Sequence, residues 1–171
     1  MIGRISILAA AAFAMLPAAA HAEDMTADEL AAAEKACNKL TKKSRATPER
    51  LEACHLAGRE YGIRDSAIAQ RDGEKSALYL DRACTMGSGK SCSLISWYYL
   101  DNSAYESSSE KSREYDAKGC DLDDAVACAG MGYWSKTDGD PEAAKAYYRK
   151  ALKIKPDYES AAKSLAELEA Q

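Results

Sequence analysis

Six cysteines fall into three pairs that recur in step along the chain, and this feature narrows the possible folds more than any other. Cys84 and Cys92 stand eight residues apart, and so do Cys120 and Cys128, 36 residues further on. Cys37 and Cys54, 17 apart, form a looser version about one period earlier. A fixed period of this length marks a stacked helical solenoid, in which each unit buries its apolar face only against its neighbours. A cysteine pair in every unit of an exported chain marks a disulfide staple.

Export is read from the N-terminus. Arg4 supplies the positive end, residues 5–16 an apolar run, and Ala20-His21-Ala22 an A-x-A cleavage site. The run is too short for a permanent anchor, and no later segment approaches the roughly 20 apolar residues that a membrane span requires. The expected organisation is a signal peptide at 1–22 and one repeat domain at 23–171, with no membrane span after cleavage. No cysteine sits at the cleavage site, which argues against acylation as a lipoprotein. All six cysteines lie in the mature part, so three disulfides are expected in an oxidising compartment, periplasmic or secreted. Losing Arg4 takes the net charge from −4 to −5. Mild acidity spread over both signs leaves no basic stripe, so neither nucleic acid nor an anionic membrane surface is an expected partner.

Ala, Leu, Glu and Lys are abundant, only four prolines occur, and no alternating strand pattern is present in the mature chain, so the expected fold class is all-α. Aligning the second cysteine of each pair gives three similar helices: Cys54-His-Leu-Ala-Gly58-Arg-Glu-Tyr61, Cys92-Ser-Leu-Ile-Ser96-Trp-Tyr-Tyr99 and Cys128-Ala-Gly-Met-Gly132-Tyr-Trp-Ser135. Four residues after each cysteine comes a small residue, Gly58, Ser96 or Gly132, where a neighbouring helix can approach closely. The partner helices align on Ala36-Cys37, Ala83-Cys84 and Gly119-Cys120, with Tyr79 and Tyr115 five residues before the latter two cysteines. Tyr147 is their equivalent in a final unit that has Leu152 where a cysteine would fall. That unit opens on Asp140-Pro141, an N-cap and first helical position. A capping helix over 158–169 follows Pro156-Asp157.

These residues resemble the Sel1-like repeat family, and more closely its cysteine-rich branch typified by the Helicobacter cysteine-rich proteins. The shared signature is A-C-x7-C followed by a small residue and an aromatic. The segment 125–158 is similar instead to a tetratricopeptide repeat, through Ala144-x3-Tyr148-x2-Ala151-x4-Pro156. The resemblance implies a right-handed solenoid of antiparallel helix pairs, with approximate units at 26–48, 49–86, 87–123 and 124–156 and a C-terminal helix at 157–170. The wider first cysteine pair and the absence of a fourth make this a short member of that pattern.

Six cysteines allow 15 pairings. The expected set is Cys37–Cys54, Cys84–Cys92 and Cys120–Cys128, each joining consecutive antiparallel helices at their shared turn. There the Cα atoms can reach the roughly 5.5–6 Å separation that a disulfide prefers. Met86-Gly-Ser-Gly89 is a suitable helix breaker between two such turns. The polar connections 65–72 and 101–109 are expected to project as surface loops, the second being the more mobile.

Catalytic and metal sites fail on inventory. His55 is the single histidine left after cleavage, neither C-x2-C nor His-x3-His occurs, and neither a metal nor another cofactor is expected. A nucleophilic thiolate needs a base beside it, and only Cys54 has a neighbouring histidine. Gly87-Ser-Gly-Lys90 lacks the full phosphate-loop spacing and reads as a turn. Ser-x-x-Lys occurs at Ser108–Lys111 and Ser160–Lys163, but 16 serines and 14 lysines make about one chance match expected. The accompanying Ser-Asp-Asn and Lys-Thr-Gly elements are missing.

The resemblance also implies a binding surface. In such solenoids the first helix of each repeat lines the concave face, one position beyond the small residue. This assigns Arg59, Trp97 and Tyr133 to a groove, with His55 and Ser93 one turn earlier. Arg, Trp and Tyr are enriched in binding hot spots. Packing between helices is the competing reading for Trp97 and, more strongly, for Tyr133; Tyr98 and Trp134 are expected in the core. The expected function is a non-catalytic scaffold whose groove binds a peptide, a protein or a peptidoglycan fragment. The alternative carried by the resemblance is a weak β-lactamase or penicillin-binding protein.

Overall fold

Helix starts are written into the sequence as acceptor side chains, and the computed structural model, which describes residues 25–41, 46–63, 66–101 and 105–170, uses most of them. The signal peptide read at 1–22 lies outside the described residues. Among the described residues there are eight helices and no strand: α1 (Ala27–Asn38), α2 (Pro48–Gly62), α3 (Gly73–Thr85), α4 (Gly89–Leu100), α5 (Ser109–Asp121), α6 (Ala125–Thr137), α7 (Pro141–Ile154) and α8 (Glu159–Glu169). Thr26 and Glu29 close a capping box on α1. Thr47, Asp72, Ser108, Asp124 and Asp140 each accept a backbone N–H from the first turn of their helix. A cap of this kind contributes roughly 0.5–2 kcal/mol. The C-terminal helix begins at Glu159, with Tyr158 as its N-cap, one residue later than the sequence pattern implied.

Three reversals share one geometry. Gly87, Asp123 and Gly139 have φ of 107°, 55° and 80°, and the next residue of each turn donates its N–H to the carbonyl five positions back. Ser88 reaches Ala83 at 2.9 Å, Asp124 reaches Gly119 at 3.0 Å, and Asp140 reaches Ser135 at 2.9 Å. This is the Schellman closure, which satisfies end carbonyls and turns the chain back at once. Glycine adopts the left-handed conformation without steric cost, and aspartate is among the few side-chain-bearing residues that tolerate it.

In two of these reversals the residue after the left-handed position starts a helix whose first turn carries a cysteine. Cys84–Cys92 and Cys120–Cys128 therefore close with Cα separations of 4.9 and 4.4 Å. Cys37–Cys54 spans the longer connection between α1 and α2 at 4.7 Å. Each bridge joins consecutive helices and sits in its own core cluster. The first cluster is built on Leu30, Leu40, Ala57 and Tyr61, the second on Leu80, Ile95 and Tyr98, and the third on Ala127, Ala144, Tyr148 and Ala161. Three disulfides over this length point to maturation in an oxidising environment. No helix among the described residues is long and apolar enough to cross a membrane.

Consecutive helices pack against each other throughout, and most extensively as the pairs α2–α3, α4–α5 and α6–α7. The small-residue positions lie at the closest approaches within these pairs. A Cβ on Gly58 would come 2.6 Å from Leu80 Cγ and 2.9 Å from the Leu80 backbone nitrogen. On Gly132 it would come 2.7 Å from the Tyr148 ring. Ser96 instead shares a buried 2.8 Å hydrogen bond with Ser112. Because the Leu80 backbone cannot rotate away, Gly58→Val is expected to cost about 1–3 kcal/mol despite replacing a poor helix former. Urea unfolding measures this, and an unchanged midpoint would contradict it.

Both connections expected to project from the surface are anchored in their described parts. Ser66 donates to the buried Glu60, and its hydroxyl accepts the N–H groups of Ile68 and Ala69 at 3.2 and 3.1 Å. Ile68 and Ala69 then pack onto the first core cluster. In the second connection Tyr105 wedges against Tyr98 and Tyr99 and hydrogen-bonds Ser76 at 3.2 Å. Apolar residues inside polar segments draw the chain back onto the helices, since burying them outweighs leaving the loop free.

Helices are also tied across unit boundaries by a pattern in the partner helices. Tyr79, five residues before Cys84, donates to Glu34, three before Cys37, at 3.1 Å. Tyr115, five before Cys120, donates to Asp81, three before Cys84, at 2.9 Å. Arg82 caps the end of α1 through the Cys37 carbonyl at 3.1 Å, and Lys150 caps α5 through the Cys120 carbonyl at 2.6 Å. Cations at helix C-termini are favoured by the end carbonyls and the helix dipole.

Candidate functional site

Helical spacing brings one set of side chains onto a shared face. On α4, Ser93, Trp97 and Leu100 follow at intervals of four and three; on α6, Val126, Gly130 and Tyr133 do the same, with Ala129 beside them. Among the described residues, contacts run from α2 to α4 and from α4 to α6, skipping the helix between. These contacts set α2, α4 and α6 along one side of the stack. A cleft of about 290 Å³ lies on this side, between α4, α6 and α8. Trp97, Leu100, Val126 and Tyr133 line it, with Tyr158, Ser160 and Ser164 facing them from the end of the chain. Buried Asp116 of α5 and Tyr148 of α7 form its floor.

Exposure separates the aromatic positions sharply. Trp97 is 57% and Tyr133 52% exposed, whereas Tyr98 and Trp134, one residue on in each helix, are 5% and 6% exposed. Seven large hydrophobic residues are exposed among the described residues, and four of them line this one cleft. Two larger concavities lack that concentration. One, about 580 Å³, lies against residues 68–72 with mostly polar walls, and the other, about 620 Å³, lies beside Leu78 and Tyr115 on the outer helices.

The structure gathers Ser93, Trp97 and Tyr133 around the cleft, whereas His55 and Arg59 are not among its lining residues. Ser93 is buried, its hydroxyl donating to the Lys90 carbonyl at 3.1 Å. Arg59 is largely buried at α2 beside Glu60, 4.0 Å away, and its carbonyl accepts from Tyr98 at 3.2 Å. His55 Nδ1 lies 3.1 Å from the Ser91 hydroxyl, which is 2.9 Å from Ser88. A histidine beside a serine is the start of a nucleophile–base pair. Ser91 is fully buried here, so the pair joins α2 to α4 and cannot meet a substrate.

The two Ser-x-x-Lys matches occupy different settings. Ser108 caps α5, accepting the Lys111 N–H at 3.3 Å, while the Lys111 ammonium lies 5.2 Å over the Tyr99 ring. Ser160 lies on the cleft rim and is exposed, as is Lys163. No group of three or more metal-ligating side chains converges among the described residues.

Asp116 is the cleft residue that sequence reasoning missed. Its carboxylate accepts from Trp134 Nε1 at 2.8 Å and from Ser96. Burial, aided by the Asp124 charge, nevertheless pushes its pKa up to about 6. His55 moves the other way, to about 4, through burial and then the Lys90 charge. The ionised Asp116 is disfavoured in the folded state, so its contribution is fully present below about pH 4 and is lost as pH rises towards 6. Neutral His55 is favoured on folding, so its contribution is present above about pH 6.5 and is lost as pH falls towards 4. Relative to wild type, Asp116→Asn is therefore expected to gain about 3 kcal/mol in unfolding free energy between pH 4 and 7. His55→Gln is expected to gain about as much relative to wild type as pH falls over the same range. Chemical unfolding at several pH values checks both, and parallel pH profiles for the three proteins would contradict them.

The chain matches no protein-family model and no curated protein.

Proposed function

We propose that this is an exported repeat scaffold, periplasmic or secreted, of the right-handed Sel1-like and tetratricopeptide-like kind, whose concave cleft binds a peptide or protein partner. The observation that carries the reading is the concentration of exposed apolar side chains in one concavity. Trp97, Leu100, Val126 and Tyr133 stand exposed around the same cleft, on helices whose other sides carry the buried Tyr98 and Trp134. Leaving a tryptophan and a tyrosine in water forgoes the stabilisation their burial would give, and such residues are the commonest anchors of protein interfaces. Support for export comes from the three disulfides, which persist in oxidising compartments. Support for the repeat family comes from the bridges at successive helix reversals and from the close approaches at Gly58 and Gly132.

Affinity for a partner captured from periplasmic extract is expected to fall at least about thirtyfold in Trp97→Ala, equivalent to about 2 kcal/mol. Its melting temperature should stay close to wild type. Undiminished binding by Trp97→Ala would remove the anchor from the proposal. Hydrolysis of nitrocefin by the purified, oxidised protein would replace the binder with a β-lactamase-like activity.

A further inference from the structure

We propose that the cleft receives the end of a basic side chain, a lysine or arginine of a peptide segment, and that the Asp116 carboxylate at its floor holds the charge. This rests on the groove reading above and adds the chemistry of the anchor. Asp116 stands on α5, outside the inner row of helices, yet it lines the concave cleft. Glycine on α6 makes this possible. A Cβ at Gly130 would lie 2.4 Å from Asp116 Oδ2 and 2.7 Å from Oδ1, so the carboxylate occupies space that a side chain would take.

Charge makes the cleft selective. Among its lining residues Asp116 is the one with a formal charge, and the others are hydroxyl, aromatic or aliphatic. Its donors, Trp134 and Ser96, are neutral, and a carboxylate offers about four acceptor sites. Arg113 stacks 5.1 Å over the Trp134 ring but is engaged by Asp138 through two 2.8 Å hydrogen bonds. The other charge acting on Asp116 is Asp124, a like charge that sharpens the demand for a cation. A buried carboxylate at 4% exposure is stabilised most by an opposite charge brought into the same low-dielectric space.

The exposed rings of Trp97 and Tyr133 add π faces, which attract ammonium and guanidinium groups. An acidic group would meet repulsion here, and an apolar one would bury the carboxylate further without compensation. A volume of about 290 Å³ sits at the lower edge of small-molecule sites, matching a side chain. Leu100 and Val126 then offer apolar rim for the residues flanking it.

Selection of a random dodecapeptide phage library on the oxidised protein tests this directly. The enriched peptides are expected to share a lysine or arginine at one position. Replacing that residue by norleucine in the synthetic peptide should weaken binding at least tenfold. Asp116→Asn should weaken binding of the unmodified peptide by a similar factor, and Trp97→Ala should weaken it too. Asparagine keeps the size of aspartate and can still accept from Trp134, and the peptide substitution involves no change to the protein at all. Enriched peptides that need Trp97 but share no basic residue, or that bind Asp116→Asn undiminished, overturn the cation anchor and leave the groove standing. Peptides indifferent to both substitutions, or no enrichment, overturn both.

Discussion

Cys84→Ala is expected to lower the unfolding free energy by about 2–5 kcal/mol, the range found on removing a native disulfide from a small domain. The chain-entropy model attributes about 2.5 kcal/mol to closing a loop of this size, with the loss of a packed sulfur added to it. Cys84 and Cys92 are both buried in the central cluster with Leu80 and Ile95, so the damage lies where α3 hands over to α4. Those two helices pack less extensively than the pairs on either side, which leaves the bridge a larger share of their connection. The variant also frees Cys92 to mispair, so unfolding should be followed with that thiol blocked. A loss below about 1 kcal/mol would show that packing alone holds the central turn. The last helix, α8, carries no bridge and packs chiefly against α7, so hydrogen exchange should open it first.

Trp134→Ala is expected to cost at least about 3–5 kcal/mol of stability, while Trp97→Ala costs less than about 1. The two residues occupy adjacent positions of the same repeat pattern, yet their environments are opposite. Trp134 is 6% exposed and donates to the buried Asp116, so truncation leaves a cavity and a carboxylate short of a donor. Trp97 is 57% exposed and its loss removes little that folding buries. Melting curves of both variants beside the wild type decide the matter. Equal destabilisation would place Trp97 in the core and remove the main anchor of the proposed groove.

The register of Cys37, Cys54, Cys84, Cys92, Cys120 and Cys128 made an all-helical stack with bridges between consecutive helices legible from the sequence, because a fixed period favours stacked repeats and a short spacing favours pairing of neighbours. The helix start at Asp140-Pro141 was equally legible, since caps and turns act over three or four residues, whereas the caps at Thr26, Asp72 and Asp124 emerged with the structure. The small residues Gly58, Ser96 and Gly132 announced close approaches, although their partners, Leu80, Ser112 and Tyr148, are fixed only once the helices are packed.

What tertiary structure alone decided depends on groups distant in the chain. Polar composition made residues 66–72 and Tyr105 look like free surface, and only the neighbouring cores at Ala57, Tyr98 and Ser76 reveal what draws them back. The split between Trp97 and Tyr98, or Tyr133 and Trp134, was anticipated through the family resemblance; an aromatic pair by itself does not report which side of its helix faces the next layer, and the packed fold supplies that rotation. Asp116 was invisible because no pattern pointed to it. A lone acid on a polar helix reads as solvated, and its role follows from Gly130 leaving room, Trp134 donating and α8 closing the far wall of the cleft. Local interactions set the helices and turns, whereas burial and charge at the cleft arise from side chains that meet only when the layers stack.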